Sequence, residues 1–449
     1  MRSAGCGSGA LASYARSLRS QALPICTVAP VAGAPDRFAA GIVGLLGIRG
    51  VVAPHEVASA IIPGIRNVDV IVVGLGAMGS AACYQLSARG VDVVGIDQYA
   101  PPHPWGSTHG DTRVTRLAIG EGREYVPLVR RSHELWREIE RATGTQLLTQ
   151  AGIVILARPP SEFLDETRAA ARTYEIEHED LTNAEIRERF PMFTVDDDVV
   201  GYYESEAGYL RPETGVAAQL ELARRAGADL RLNERVERWT PARTGVTVTT
   251  DKATYRSAQM LLCAGAWIRD LFPEGRDTFA VYRQLLFWFP IRQRFTELRD
   301  MPAFVWDVGG QQEGFVHLDG FYGLPAVDGP GGGLKVAAES YERTTRPDGR
   351  QHPANRAEID RMYAQCVAPH LPWLGPEPLR TVSCLYTSTR GNRFVIDRHP
   401  AHDSVLIVSA CSGHGFKHSP AIGEAVAQWL TGDEPDIDLS AFSLSNARR

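Results

Sequence analysis

The chain has 449 residues, 44% of them apolar and 22% charged, with a formal charge of −6, and this length exceeds one ordinary core and favours two domains. The acidic balance argues against a broad nucleic-acid surface, which needs a basic face, but leaves room for a local basic pocket. Seven cysteines without a C-x-x-C pair argue against a zinc cluster or disulfide framework and point to a reducing, cytoplasmic setting.

The first 66 residues carry no Lys and only Asp36 and Glu56 as acids. Their longest apolar run, Phe38 to Ile48, is too short to span a bilayer. The segment reads as a disordered extension, or as translation from a start codon upstream of the true one. An organelle transit peptide is the alternative on its Arg-rich, acid-poor composition.

Ordered structure is expected from Val68. The run VDVIVV (Val68 to Val73) is β-branched and apolar, as a buried parallel strand requires. GLGAMG follows from Gly74 to Gly79, then a helix with Met78, Ala82 and Leu86 on one face and Gly90 beyond its end. VDVVGID (Val91 to Asp97) completes a βαβ unit ending in an acid. In such a unit Gly74 permits the tight turn, Gly76 lets backbone approach a pyrophosphate, and Gly79 allows helix–sheet packing. The helix N-terminus attracts phosphate, and Asp97 accepts from ribose hydroxyls. A glycine turn that binds nothing is the plainer alternative, and the glycines alone do not separate FAD from NAD.

Further along, a helix is expected over Glu124 to Ala142, a strand over Gly152 to Ala157, and a helix over Pro212 to Ala226. Strands follow at Leu230 to Trp239, Gly245 to Thr250 and Met260 to Ala264. A strand-rich middle runs from Val281 to Ala338. A strand at Ser404 to Ala410 meets the turn SGHGFK (Ser412 to Lys417), which leads to a helix capped by Ser419. This order predicts an α/β protein with a discontinuous nucleotide-binding domain, residues 67–150, 208–280 and 380–449. A sheet-based domain, 151–207 and 281–379, is inserted between these stretches.

From Val68 onward the chain resembles the monomeric sarcosine oxidase family, which includes N-methyltryptophan oxidase. The resemblance rests on PPHPWGSTHGDTRVTR (Pro101 to Arg116), GEGREYVPLVRRSHELW (Gly120 to Trp136), CLYT (Cys384 to Thr387), FVIDRHP (Phe394 to Pro400) and SGHGFK. It implies FAD, a glutathione-reductase-like FAD-binding domain, and a sheet-based substrate domain. Cys384 matches the cysteine that attaches flavin covalently, for which cationic surroundings favour the thiolate. Lys335 matches a lysine beside the flavin, where a cation eases electron transfer to oxygen. The glycines before it, Gly331 to Gly333, are expected to let its strand approach the ring. His109 and Arg113 match residues that supply positive charge on the other face of the ring. Arg116 and Lys417 match the pair that holds the substrate carboxylate, and Tyr322 and Tyr386 match tyrosines lining the pocket. Gly413 and Gly415 lie in the second glycine turn, against the cofactor.

Two positions depart from the family pattern. Thr108 precedes His109 where the family commonly has two histidines, and Glu339 replaces a histidine four residues after the lysine. A carboxylate there repels an amino-acid carboxylate and attracts an amine, which puts sarcosine itself in doubt.

The implied activity is oxidation of a secondary or tertiary N-methylated amino acid. Its products are hydrogen peroxide and an imine that hydrolyses, releasing formaldehyde when the methyl group is oxidised. The partners expected are a small amine and molecular oxygen, with no metal, nucleic acid or membrane, and the protein is expected to be monomeric. N-methyl-L-tryptophan, pipecolate or another amine is the alternative substrate, and a dehydrogenase passing electrons to a carrier is a second alternative. A non-catalytic flavin-binding assembly protein is the alternative from another class.

Overall fold

The computed structural model describes residues 65–292, 298, 300–307, 320–347 and 352–448, all within one compact unit. The reading of residues 1–66 therefore lies outside the described residues, except that Ile65 and Arg66 already pair with Thr254 and Tyr255.

The βαβ unit forms as expected, with strand Ile65–Val73, helix Ala77–Ala88 and strand Val93–Asp97. Their sheet has the order 236–241, 246–250, 254–262, 65–73, 93–97, 229–232. Its three central strands are parallel neighbours, covered on both faces, which is why they read as unbroken apolar runs. The Thr254–Leu262 strand splits its pairing. Its first half runs antiparallel to Val246–Thr250, and its second half parallel to His402–Ser409. The stretch Leu230 to Trp239, expected as one strand, is two, Asp229–Leu232 and Val236–Pro241. Asn233 between them has φ +55°, a left-handed conformation that Asn tolerates and that breaks an extended run.

Helix Ser419–Thr431 packs against Ala77–Ala88, and contact is close because Gly423 has no side chain. A Cβ there would stand 2.6 Å from Ala81 Cβ. The cap of this helix is His418, with Ser419 its first residue. Among the described residues, no helix is long and apolar enough to cross a membrane.

A second sheet of eight described strands has the order 380–388, 280–289, 334–338, 320–324, 303–307, 153–157, 200–204, 179–181. All neighbours are antiparallel except Ala303–Asp307 with Ile153–Ala157. Arg380–Ser388, grouped from sequence with the nucleotide-binding stretches, is an edge of this second sheet. It pairs along Ala280–Phe289, whose alternating buried residues give it a matching face. A small third sheet joins Arg113–Thr115, Gly208–Leu210 and Leu148–Thr149. It carries the Arg113 segment, whose Gly110 and Thr112 carbonyls meet Lys335 of the interior strand Leu334–Ala338.

Candidate active site

A cavity of about 1110 Å³ is bounded by residues of both large sheets, at the upper end of the roughly 300–1,000 Å³ common for cofactor sites. The glycine turn opens into it. Gly74 has φ +88°, and a Cβ there would lie 2.4 Å from the Cys263 carbonyl oxygen. Gly79 is equally constrained, since a Cβ would come 1.8 Å from the Gly74 oxygen. These two glycines let the first turn of Ala77–Ala88 sit directly over the strand end, with its N–H groups lacking intrahelical partners. Asp97 ties the turn together by accepting from Leu75 N and Tyr99 N, each at 2.8 Å. Burial pushes its carboxyl above the usual range, against those two hydrogen bonds. Gly74, Gly76 and Asp97 line the cavity, while Gly79 stands behind them in the packing. A helix N-terminus, a backbone approach without side chains, an acid at the second strand end and this volume fit a dinucleotide.

One group of candidates lies buried behind the cavity wall. Arg113, at the wall itself, donates through Nη2 to the carbonyls of Ser107 at 2.8 Å and His109 at 2.5 Å, and through Nη1 to Thr112 O at 2.8 Å. The Cys384 sulfur is 3.7 Å from its Nη2 and 3.4 Å from Ser107 O. Lys335 Nζ donates to Gly110 O at 2.8 Å and Thr112 O at 2.7 Å. The Trp288 ring lies 5.7 Å from that ammonium. Glu213, not singled out from sequence, pins this segment by accepting from Gly110 N at 2.5 Å and Asp111 N at 3.1 Å. His109, Lys335 and Cys384 are 5%, 2% and 1% exposed, and the cavity wall itself is formed by Arg113, Tyr322 and Tyr386.

Two expectations change here. His109 is not a cation, because burial and then Arg113 lower it to about 4, leaving the positive charge to Arg113. The Cys384 thiol is pushed up by burial, which outweighs Arg113 and Lys335; its surroundings are cationic, yet the thiol is the resting form. Gly331 stands in open space on a surface turn, and Gly333, at φ +76°, is buried against the neighbouring strand, where a Cβ would stand 2.9 Å from Phe289 O. Close packing at Lys335 also involves Gly110, where a Cβ would collide with Leu286 Cδ1 at 2.5 Å, and Gly323, where one would stand 2.9 Å from Lys335 O. Burial, then Arg113, also place Lys335 well below the ordinary lysine range.

The second group lines the cavity. Arg116 donates through Nη1 to Ala118 O at 2.8 Å and through Nη2 to Glu121 Oε2 at 2.5 Å. Its guanidinium also lies 4.8 Å from the Phe163 ring centroid. Lys417 Nζ donates to His414 O at 2.9 Å. Burial, partly offset by Glu121, brings Lys417 down to about 8. Arg116 and then Lys417 overcome burial to hold the Glu121 carboxyl far below the usual range. Glu339 accepts from Tyr341 OH at 2.9 Å, and burial raises its carboxyl to about 7. The fixed anion expected at this position is thus a group near its titration point at neutral pH. Burial raises the phenols of Tyr322 and Tyr386 above the usual range. Gly413, at φ +83°, leaves space that a Cβ would close, 2.9 Å from Glu339 Oε1 and 3.0 Å from Tyr386 Cε2. A Cβ at Gly415 would strike Ala410 O at 1.6 Å, so this second turn also depends on glycine.

Glu121 and Tyr341 escaped the sequence reading. Glu121 lay inside the quoted GEGREY motif, and its acid between two glycines was the available signal. Tyr341 carried none, since its role depends on where Glu339 and Asn392 meet it.

A family model described as FAD dependent oxidoreductase (DAO) matches residues 69–429. Monomeric sarcosine oxidase of Streptomyces avermitilis is 41% identical over 369 residues, covering 81% of this chain and 94% of that one. N-methyl-L-tryptophan oxidase of Yersinia pestis is 34% identical over 381 residues, covering 85% and 99%. Among solved structures, NikD, an unusual amino acid oxidase essential for nikkomycin biosynthesis, superposes with a TM-score of 0.74 at 24% identity, over 84% of this chain and 97% of its own. Glycine oxidase from Geobacillus kaustophilus superposes with a TM-score of 0.68 at 19% identity, over 84% and 98%. The structural likenesses carry the fold: an FAD-binding α/β architecture with a second sheet.

Proposed function

This chain belongs to the FAD-dependent oxidoreductase family, alongside monomeric sarcosine oxidase and N-methyl-L-tryptophan oxidase, and we propose that within it the protein oxidises N-methylated secondary or tertiary amino acids with oxygen. One observation carries this reading. A single cavity joins the glycine turn to a wall bearing Arg116, Lys417, Glu339, Tyr322 and Tyr386, so a dinucleotide and a small charged amine share one enclosure.

In this reading residues 67–150, 208–280 and 389–449 hold FAD, and 151–207 and 281–379, with the edge strand Arg380–Ser388, bound the substrate. Gly74, Gly76 and Gly79 shape the turn that takes the pyrophosphate at the helix N-terminus, Asp97 takes the ribose hydroxyls, and the Gly413–Gly415 turn lies along the cofactor. FAD held there would supply the hydride-accepting and oxygen-reducing chemistry that turns an amine into an imine and oxygen into hydrogen peroxide. Cys384 is the proposed point of covalent attachment, with Arg113 beside its sulfur. Arg116 and Lys417 orient the substrate carboxylate, Arg116 through a planar fork and Lys417 as a point charge. The two tyrosines exclude water from the amine end, and Lys335 supplies positive charge where oxygen gains its first electron. The imine product hydrolyses in water, releasing formaldehyde when the methyl group has been oxidised. A cytoplasmic monomer is part of the same proposal.

The test is an oxygen electrode with sarcosine, N-methyl-L-tryptophan and L-pipecolate, following peroxide in parallel. Peroxide matching oxygen uptake with an N-methyl amino acid is expected; no uptake with any of the three overturns the reading. Covalent attachment is checked by acid precipitation, which should leave the yellow colour in the pellet. Colour wholly in the supernatant removes Cys384 from that role.

A further inference from the structure

Two carboxyls of the cavity wall stand near Arg116 and Lys417, Glu121 and Glu339. Glu121 is occupied by Arg116 at 2.5 Å, whereas Glu339 is held by a phenol. Its Oε2 accepts from Tyr341 OH at 2.9 Å, and Tyr341 OH in turn accepts from Asn392 Nδ2 at 3.1 Å. Its Oε1 lies over Gly413, 2.9 Å from where a Cβ would stand. That glycine also lines the cavity, so the absent side chain leaves Oε1 open to it. One oxygen is anchored and the other faces the space a substrate would fill.

Amino acids with a secondary amine are ammonium ions in neutral water. Hydride departs from the adjacent carbon only when nitrogen has a free electron pair to form C=N, so a proton must leave first. We propose that Glu339 is the proton acceptor: its Oε1 takes the N–H proton of the bound substrate ammonium, converting a fixed ion pair into neutral amine beside neutral carboxyl. The N–H bond breaks and an O–H bond forms. The pair left on nitrogen becomes the C=N bond as hydride departs, and the proton later passes from Glu339 to solvent. This inference rests on the function proposed above.

The surroundings suit the role. Glu121 raises the carboxyl while Lys417, Arg116 and the Tyr341 hydrogen bond lower it, and burial sets the balance near 7. A base poised near working pH both accepts and returns a proton. The other titratable groups of this wall are less suited. Burial holds His414 at about 4 and raises both Tyr322 and Tyr386, and Lys417 is cationic below about 8. Zwitterion recognition follows from the same arrangement, with Arg116 and Lys417 taking the carboxylate and Glu339 the amine.

The experiment uses holoenzyme and stopped-flow flavin reduction by saturating sarcosine, or N-methyl-L-tryptophan if that is the one oxidised, between pH 6 and pH 9. The parent rate should be nearly flat above pH 7. In Glu339→Gln it should be roughly 10²-fold lower at pH 7, the lower end of general-base effects, and rise about tenfold per pH unit, as the neutral fraction of an amine does well below its pKa. Glu339→Asp should restore the flat profile in part. A second measurement needs no turnover. Trimethylglycine, a zwitterion whose quaternary ammonium has no N–H, should bind the parent about tenfold more tightly at pH 8 than at pH 6, because the Glu339 carboxyl ionises across that range, and Glu339→Gln should remove the trend. An unchanged reduction profile in Glu339→Gln, or parent binding that ignores pH, overturns the assignment. A parent that oxidises neither amine overturns the proposed function, and this inference with it; an active parent with an unchanged variant profile overturns the inference alone.

Discussion

Lys335 behind the cavity wall and Arg113 at it donate to backbone carbonyls of the 107–112 segment, whereas Arg116 and Lys417, each with one backbone carbonyl, also face side-chain carboxylates, Arg116 that of Glu121 and Lys417 those of Glu121 and Glu339. Both clusters pair an Arg with a Lys, and both are buried. A cation held by carbonyls keeps its place whatever enters the cavity, because the backbone cannot leave. A cation compensated by a side-chain acid can exchange that partner for a ligand carboxylate. The first arrangement suits charge stabilisation at a reacting centre, and the second suits recognition.

The sharpest way to break this contrast is Lys335→Met, which keeps length and removes charge. Reoxidation by oxygen should slow by about 10²–10³-fold, the scale for losing one preorganised charge partner, while flavin reduction by substrate suffers less. Stopped-flow measurement of the two half-reactions decides, and reoxidation at the parent rate would make Lys335 a structural lysine. At the cavity wall, Lys417→Ala should weaken binding of an anionic ligand by about 1.5–3 kcal/mol, as expected for a hydrogen bond to a charged group. Calorimetry with a small carboxylate inhibitor measures this, and no change would remove Lys417 from recognition.

A pH series sharpens the same point. Lys417 titrates at about 8 in the folded chain, below the ordinary lysine value. Its cation is therefore present below that pH and lost above it. In Glu339→Gln, where that carboxyl no longer ionises, affinity for a carboxylate ligand should hold below pH 8 and fall by about tenfold over the next unit or so; adding Lys417→Met should abolish the fall. Cys384→Ala should keep the fold at a cost of about 1–2 kcal/mol for one buried sulfur, read from the denaturant midpoint, while freeing the flavin on acid precipitation. The smallest effect is expected at His109. Held near 4 by burial and Arg113, it is neutral from pH 5 upward, so His109→Gln should leave the pH profile of reoxidation unchanged between pH 5 and pH 8. A lost inflection near 6 would show that His109 carries charge after all.

The amino-acid order alone was enough for the βαβ unit, because its signals are local. The apolar strand, the glycine spacing, the helix face and the terminal acid Asp97 lie within 30 residues of chain, and each constrains its own backbone. The family resemblance added the site residues one by one through short motifs. What the sequence could not supply is the state of those residues. Lys335 meets Gly110 across 225 positions, and Cys384 meets Arg113 across 271. The neutrality of His109, the resting thiol of Cys384, the lowered Lys335 and the Glu339 carboxyl near 7 all follow from burial and from neighbours on distant strands. The glycines before Lys335 were visible in the chain, but only pairing of the sheet shows that Gly110 and Gly323 also pack closely around it. Residue type is written in the chain, but the protonation state depends on desolvation and on charges through space, and those quantities exist only once the strands have come together.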